Sequence, residues 1–275
     1  MSHHLRCKGS DLFSNHKKMA HFLKKSTKLL IKDIMSQIKE LPKLFDDEPF
    51  VMDSFNVPFE HTSEGMSKTR YRKLSYQNIH LTSQFNLVGK YEMPEVQPYN
   101  GEIPYSLTPY SMKNVGNKSG AVHFYIDDYR FGGMYMWGRL QHIAEQVAVY
   151  KTVIAPDFSI YLDQSRILNL FQLYQNRVAT AYWQSIGLQV IPSVSWGNAD
   201  SFEYCFEGLP QHSILAIGGL GNAHHSSMIQ LWEYGVKQTI ERLNPIALII
   251  YGAPKQLDLP VETHYFQSFI NSKFA

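Results

Sequence analysis

From residue 121 to residue 252 the chain repeats one unit, a short β-branched and apolar run followed by a longer segment whose apolar side chains recur at helical spacing. A period of two that gives way to a period of 3.6, and then returns, is compatible with few folds. The runs that read as strands lie at 121–126, 152–155, 189–194, 213–217 and 246–251, and those that read as helices at 134–149, 164–186, 199–206 and 226–243. Short apolar strands separated by helices predict parallel neighbours joined by right-handed crossovers, with helices covering the sheet. The expected fold class is α/β, its repeated βα units forming a parallel sheet that is either open and doubly wound or part of a barrel.

The flanks read differently. Between residues 16 and 41, Met19, Phe22, Leu23, Leu30, Ile34, Ile38 and Leu41 keep helical spacing while lysines fill other positions, and Pro42 ends the pattern. The expected organisation is a basic amphipathic helical segment (1–44), a Pro/Tyr-rich irregular region packing on the core (45–119) and the α/β domain (120–275). A basic amphipathic helix can dock on a core, lie on a membrane surface or contact nucleic acid, and docking is the commonest use. Lys68, Arg70, Arg72 and Lys73, with Tyr71 and Tyr76 beside them, combine cations with rings as a nucleic-acid contact would. So short a run is more often a solvated loop.

Composition narrows the function classes. At 44% hydrophobic and 18% charged residues the chain can bury a sizeable core, and a net charge of +2 gives no global attraction for polyanions. Cys7 and Cys205 are the two cysteines, without zinc-type spacing or a disulfide framework. No apolar run approaches the roughly 18 residues that suggest a bilayer span, and lysines interrupt the first 30 residues where a signal peptide would be apolar. A cytoplasmic protein without a transmembrane segment is expected.

In parallel α/β folds ligands gather outside the carboxyl ends of the strands, and the residues there are polar in this chain. The first strand delivers Asp127, Asp128 and Arg130, the second Asp157 and Ser159, and the third Ser195, Trp196 and Asn198. If the first two strands are neighbours, Asp128 and Asp157 approach each other, and paired carboxylates can share a proton or bind Mg²⁺. Each aspartate could equally cap the helix that follows, although capping leaves Arg130 unexplained. Gly218, Gly219 and Gly221 give a weak match to a phosphate-cradling loop, and a tight turn explains them better. The adjacent His224 and His225 lack any metal-binding pattern. Within the long helix, Asn176, Arg177, Tyr182 and Gln184 interrupt an apolar stretch. Arg177 can form a structural pair with a carboxylate such as Asp157 or hold a substrate anion, and the structural pair is the expectation.

The ordered motifs VHFYIDDYRF, APDFSIY, YQNR, YWQSIGLQVIPSVSWG, FEYCFEGLP and ALIIYG, spread over residues 120–252, resemble the family catalogued as domain of unknown function 4417. The resemblance implies a protein of bacteria, phages and mobile elements, and no established activity comes with it. It points to Asp127, Asp128, Tyr129, Arg130, Pro156, Asp157, Asn176, Arg177, Trp183, Gln184, Ser195 and Trp196 as motif residues. Family members carry a cysteine about where Asn222 lies, and this chain does not.

Two functions stay open. In the first, an enzyme acts on a nucleotide-like or phosphorylated substrate with Asp127, Asp128 and Asp157 as catalytic or Mg²⁺-binding carboxylates. Arg130, Asn176, Arg177, Gln184, Ser195 and Trp196 then bind the substrate. In the second, a non-catalytic factor of a mobile element binds nucleic acid or protein through the basic helix and Lys68, Arg70, Arg72 and Lys73.

Overall fold

The computed structural model describes residues 77–82, 84–131, 136–219 and 225–268, apart from the side chains of Tyr129 and Arg130. The expected basic helix at 16–41, the cluster Lys68, Arg70, Arg72 and Lys73, and Gly221 and His224 lie outside the described residues. A short helix α1 (Ile79–Thr82) and an antiparallel hairpin of β1 (Leu87–Val88) and β2 (Met93–Pro94) precede the sheet. Then follow β3 (Leu107–Pro109), β4 (Ala121–His123), α2 (Asp128–Phe131), α3 (Leu140–Val147) and β5 (Thr152–Ile154). The series continues with α4 (Arg166–Ser185), β6 (Val190–Ile191), β7 (Ser193–Val194) and β8 (Ile214–Gly218). It ends with α5 (Ser226–Leu243), β9 (Ala247–Tyr251) and β10 (Glu262–Phe266).

The strands form two four-stranded ladders, β3-β4-β5-β6 and β7-β8-β9-β10, parallel throughout. The strand expected at 189–194 is thus divided between them. Pro192 has no N–H to donate and interrupts the ladder there. Its carbonyl still accepts from the Ala216 N–H at 2.9 Å, so backbone pairing passes from one ladder to the other through this segment.

From β3 to β10, spatial neighbours are neighbours in sequence and the order never reverses. A doubly wound sheet needs such a reversal, so that alternative is set aside. Winding in one direction is how a β/α barrel is built, but no closed barrel forms because β3 and β10 remain unpaired edges. Side-chain alternation agrees with one-sided winding. Val122, Phe124, Val153, Ala155 and Val190 pack with Ile143 and Val147 of α3 and with Val178 and Trp183 of α4. Leu215, Ile217, Leu248 and Ile250 pack with Trp232, Val236 and Leu243 of α5. The intervening residues Ala121, Tyr125, Ile154, Ile191, Ala216, Ile249 and Tyr251 form a separate inner cluster with Tyr99 and no helical member.

The segment 199–206, expected as an α-helix, is a 3₁₀ turn over Ala199–Glu203 in which the Asn198 side chain caps the Ser201 N–H. So few residues give little return on the cost of nucleating an α-helix. The parallel sheet was not expected to include β3 or β10. β3 contains Pro109, tolerated because an edge strand can lose a donor, and β10 has largely half-buried polar positions with no clean alternation. Among the described residues no helix is long and apolar enough to cross a membrane.

Trp183 carries much of the helix-side packing: it is fully buried, its ring centroid lies 5.7 Å from that of Phe124, and its Nε1 donates to the Leu140 carbonyl at 3.1 Å. Trp183→Ala is expected to cost about 3–5 kcal/mol in urea unfolding, the usual result of emptying an aromatic core site.

Candidate functional site

All sheet strands from β3 to β10 point the same way, so the residues that follow them collect at one edge. Asp157 stands just beyond β5, Ser195 directly follows β7, and Gly218 closes β8. The Ser195 hydroxyl donates to Asp157 Oδ1 at 2.5 Å. Gly218 separates Asp157 from β4: a Cβ there would lie 3.5 Å from Asp157 Oδ2 but only 2.9 Å from Tyr125 Cδ1. The absence of a side chain at this strand end is what lets the Tyr125 ring and the Asp157 carboxylate flank it. Asp128, at the start of α2, accepts from the Ser159 N–H at 3.1 Å and the Ser159 hydroxyl at 2.7 Å. It thereby holds the loop that carries Asp157.

The electrostatics of this edge are set by burial. Asp157 is partly buried, and desolvation pushes its carboxyl up to about 6; the Ser195 hydrogen bond opposes the shift and the charge of Asp128 adds to it. Burial also pushes the Tyr125 phenol well above its ordinary range, with Asp157 contributing. His123 is driven down to about 3 by burial and is therefore neutral near pH 7. Its Nδ1 accepts the Tyr125 N–H at 3.1 Å, which leaves the proton on Nε2.

The other expected site residues are placed as follows. Asn176 is buried and donates to the Pro156 carbonyl at 2.5 Å and to the Ser193 hydroxyl at 2.9 Å, so it spans the ends of β5 and β7. Arg177 does not make the expected pair with Asp157. Its guanidinium donates instead to the Glu207 carbonyl at 2.9 Å, the Cys205 carbonyl at 2.7 Å and Asn176 Oδ1. The physical reason is that Arg177 lies on the buried face of α4, opposite the carbonyls of the 205–207 turn. Gln184, at the far end of α4, exchanges two 2.9 Å hydrogen bonds with the Gln97 backbone near the amino edge of the sheet. Trp196 is lodged against the bare backbone of Gly235 and stacks on Phe202 with centroids 6.3 Å apart. Asp127 is exposed, and the side chain of Arg130 is not described. Gly219 approaches the Gly252 carbonyl, where a Cβ would come within 2.6 Å, so close packing of the β8 and β9 ends explains this glycine.

A cation shell is a poor fit to these carboxylates. Asp128 commits both oxygens to Ser159 and Asp157 commits one to Ser195. Among the described residues no group of three His, Cys, Asp or Glu could hold a metal ion. Sequence reasoning missed His123 and Tyr125 because they lie in the run 121–126, which reads as core; His123 ends β4 and Tyr125 falls just beyond it. The signal available was two polar rings at alternate positions of an otherwise apolar run.

Comparison with known proteins places the chain. A profile described as "Domain of unknown function (DUF4417)" matches residues 85–268. The chain belongs to this family. The DUF4417 match extends beyond the motifs of residues 120–252 to include every strand from β1 to β10. The chain is 31% identical over 204 residues to the "Gene 1 protein" of Mycobacterium phage L5, covering 72% of this chain and 87% of that protein. It is 29% identical over 194 residues to the "Gene 1 protein" of Mycobacterium phage D29, covering 69% and 70% respectively. No solved structure matches.

Two outcomes follow from the placement of Asp157 and Arg177. A carboxyl raised from 3.8 to about 6 binds its proton more tightly in the folded state, so its contribution to stability falls as pH rises between those values and stays low above them. Asp157→Asn should remove that fall and stabilise the protein at pH 7.5 by up to about 3 kcal/mol, measured by urea unfolding across pH. Arg177→Met should destabilise by about 3 kcal/mol at every pH in the same assay, because buried carbonyl oxygens lose their donors.

Proposed function

We propose that this DUF4417 protein is a phage-type enzyme in which Asp157 transfers a proton at a nucleotide-like or phosphorylated substrate bound at the carboxyl edge of the sheet. The observation that carries the reading is the Asp157 carboxyl itself. It titrates near 6, is bonded to a hydroxyl rather than a cation among the described residues, and stands where β/α folds bind ligands. A carboxylate of that basicity can take a proton from a bound water or hydroxyl and return it to a leaving group at neutral pH.

Asp128 assists in two ways, by fixing the loop through Ser159 and by raising the proton affinity of Asp157 with its charge. Ser195 orients the carboxylate by engaging Oδ1, which leaves Oδ2 on the side of Gly218. Asn176 is a positioning residue, since it joins the backbone beside Asp157 to the strand that delivers Ser195. With Arg177 committed to backbone carbonyls, Arg130 is the remaining sequence candidate for an anionic group.

The test is to incubate the full chain with nucleoside mono-, di- and triphosphates, with and without Mg²⁺, and to follow phosphorus NMR and nucleoside release. Turnover is expected to drop about 10²–10⁴-fold in Asp157→Asn, the range for loss of a general acid or base. In Arg130→Ala the effect should fall mainly on KM. Undiminished turnover in Asp157→Asn, or no turnover of any of these compounds by the native chain, overturns the reading.

A further inference from the structure

We propose that the Nε2–H of His123 and the hydroxyl of Tyr125 hold an uncharged carbonyl oxygen of the ligand on the inner face of the sheet, beside Asp157. The inference rests on the carboxyl edge being the ligand site. His123 and Tyr125 are 0% and 4% exposed, yet among the described residues His123 Nε2 and the Tyr125 hydroxyl have no hydrogen-bond partner. A buried donor left without a partner keeps its full desolvation cost, and two occur two residues apart on one face. Leucine or phenylalanine at these positions would avoid that cost. Groups kept despite it are suited to a partner that arrives from outside the chain.

Their surroundings select the partner. The Tyr125 ring stacks on Tyr251 with centroids 5.6 Å apart and planes 14° apart, and the His123 ring lies 4.2 Å from that of Tyr251. The three rings make an aromatic wall in which the two tyrosines are nearly parallel and His123 is tilted 45° from Tyr251. Across Gly218 from Tyr125 lies Asp157 Oδ2, an acceptor whose charge repels anions. Two neutral donors, one acceptor and an aromatic wall complement a planar, uncharged group that carries a carbonyl next to an N–H, as nucleobases do. A phosphate placed against Asp157 Oδ2 would meet a carboxylate.

The experiment uses the full chain, with uracil as probe and inorganic phosphate as comparison, read by saturation-transfer NMR alongside the thermal stability of the ligand-free protein. Tyr125→Phe is expected to melt at the same temperature or higher, since an unpartnered hydroxyl has been removed, while the uracil signal falls at least fivefold. His123→Asn, which retains an acceptor for the Tyr125 N–H but removes the imidazole donor, should lose the uracil signal in the same way. Phosphate binding, if any, should be unchanged in both.

Melting lowered by several degrees in Tyr125→Phe would mean that the hydroxyl serves an internal or water-mediated bond, and the proposal falls. It falls equally if uracil does not bind, or binds both variants as it binds the native chain. Tyr125-dependent uracil binding without any nucleotide turnover keeps this inference and removes the catalytic one. Turnover that Tyr125→Phe leaves untouched does the reverse.

Discussion

The arrangement of the sheet edge depends on one buried polar junction, the Asn176–Arg177 pair in the middle of α4. Taking a guanidinium out of water is costly, and burial lowers the pKa of Arg177 to about 10, which still leaves it charged at neutral pH. Carbonyl dipoles from Cys205, Glu207 and Asn176 satisfy the group. Because Arg177 grips Asn176, the amide of Asn176 is fixed as it donates to Pro156 and Ser193. One helix therefore sets the spacing of two strand ends, and with it the short contact between Ser195 and Asp157.

Winding in a single direction gives this geometry its context. With α3, α4 and α5 all packed on one face, the other face presents aromatic and polar side chains near its carboxyl edge with no covering helix among the described residues. The amino edge is managed by different means. There the Gln184 amide closes on the Gln97 backbone, and Ser213 receives the Tyr99 N–H at 2.9 Å. Away from that edge, Glu207 accepts the N–H groups of Lys90 and Tyr91, and Lys90, Tyr91 and Arg166, the last at the opposite end of α4 from Gln184, converge on Glu203. Those contacts hold the Glu203 carboxyl down at about 2 and anchor the β1–β2 hairpin.

The helices and central strands were legible because their apolar periods are long or their flanks are sharply polar. β8 and β9, buried along nearly their whole length, match the expected runs closely. β3 and β10 were not legible, since an edge strand tolerates proline and half-exposed polar residues that read as loop. The same limit applies to the site. Asp157 and Ser195 follow strands and could be found by position alone. Arg177 could be assigned to a helix, but periodicity does not say which atoms its guanidinium meets. His123 and Tyr125 were hidden in a run that reads as core, and only the alternation of residues 121–125 between an inner and a helix-covered face separates them from Val122 and Phe124.

The fixed tautomer of His123 has a consequence for how the site responds to acidity. A backbone N–H occupies Nδ1, the ring stays neutral down to about 3, and the Tyr125 phenol ionises only well above its usual range. Neither group changes its proton count across the range in which cells live. Of these three side chains, Asp157 alone changes charge there, so they exchange a single proton with solvent near neutrality. The donors around it keep the same polarity before and after that exchange.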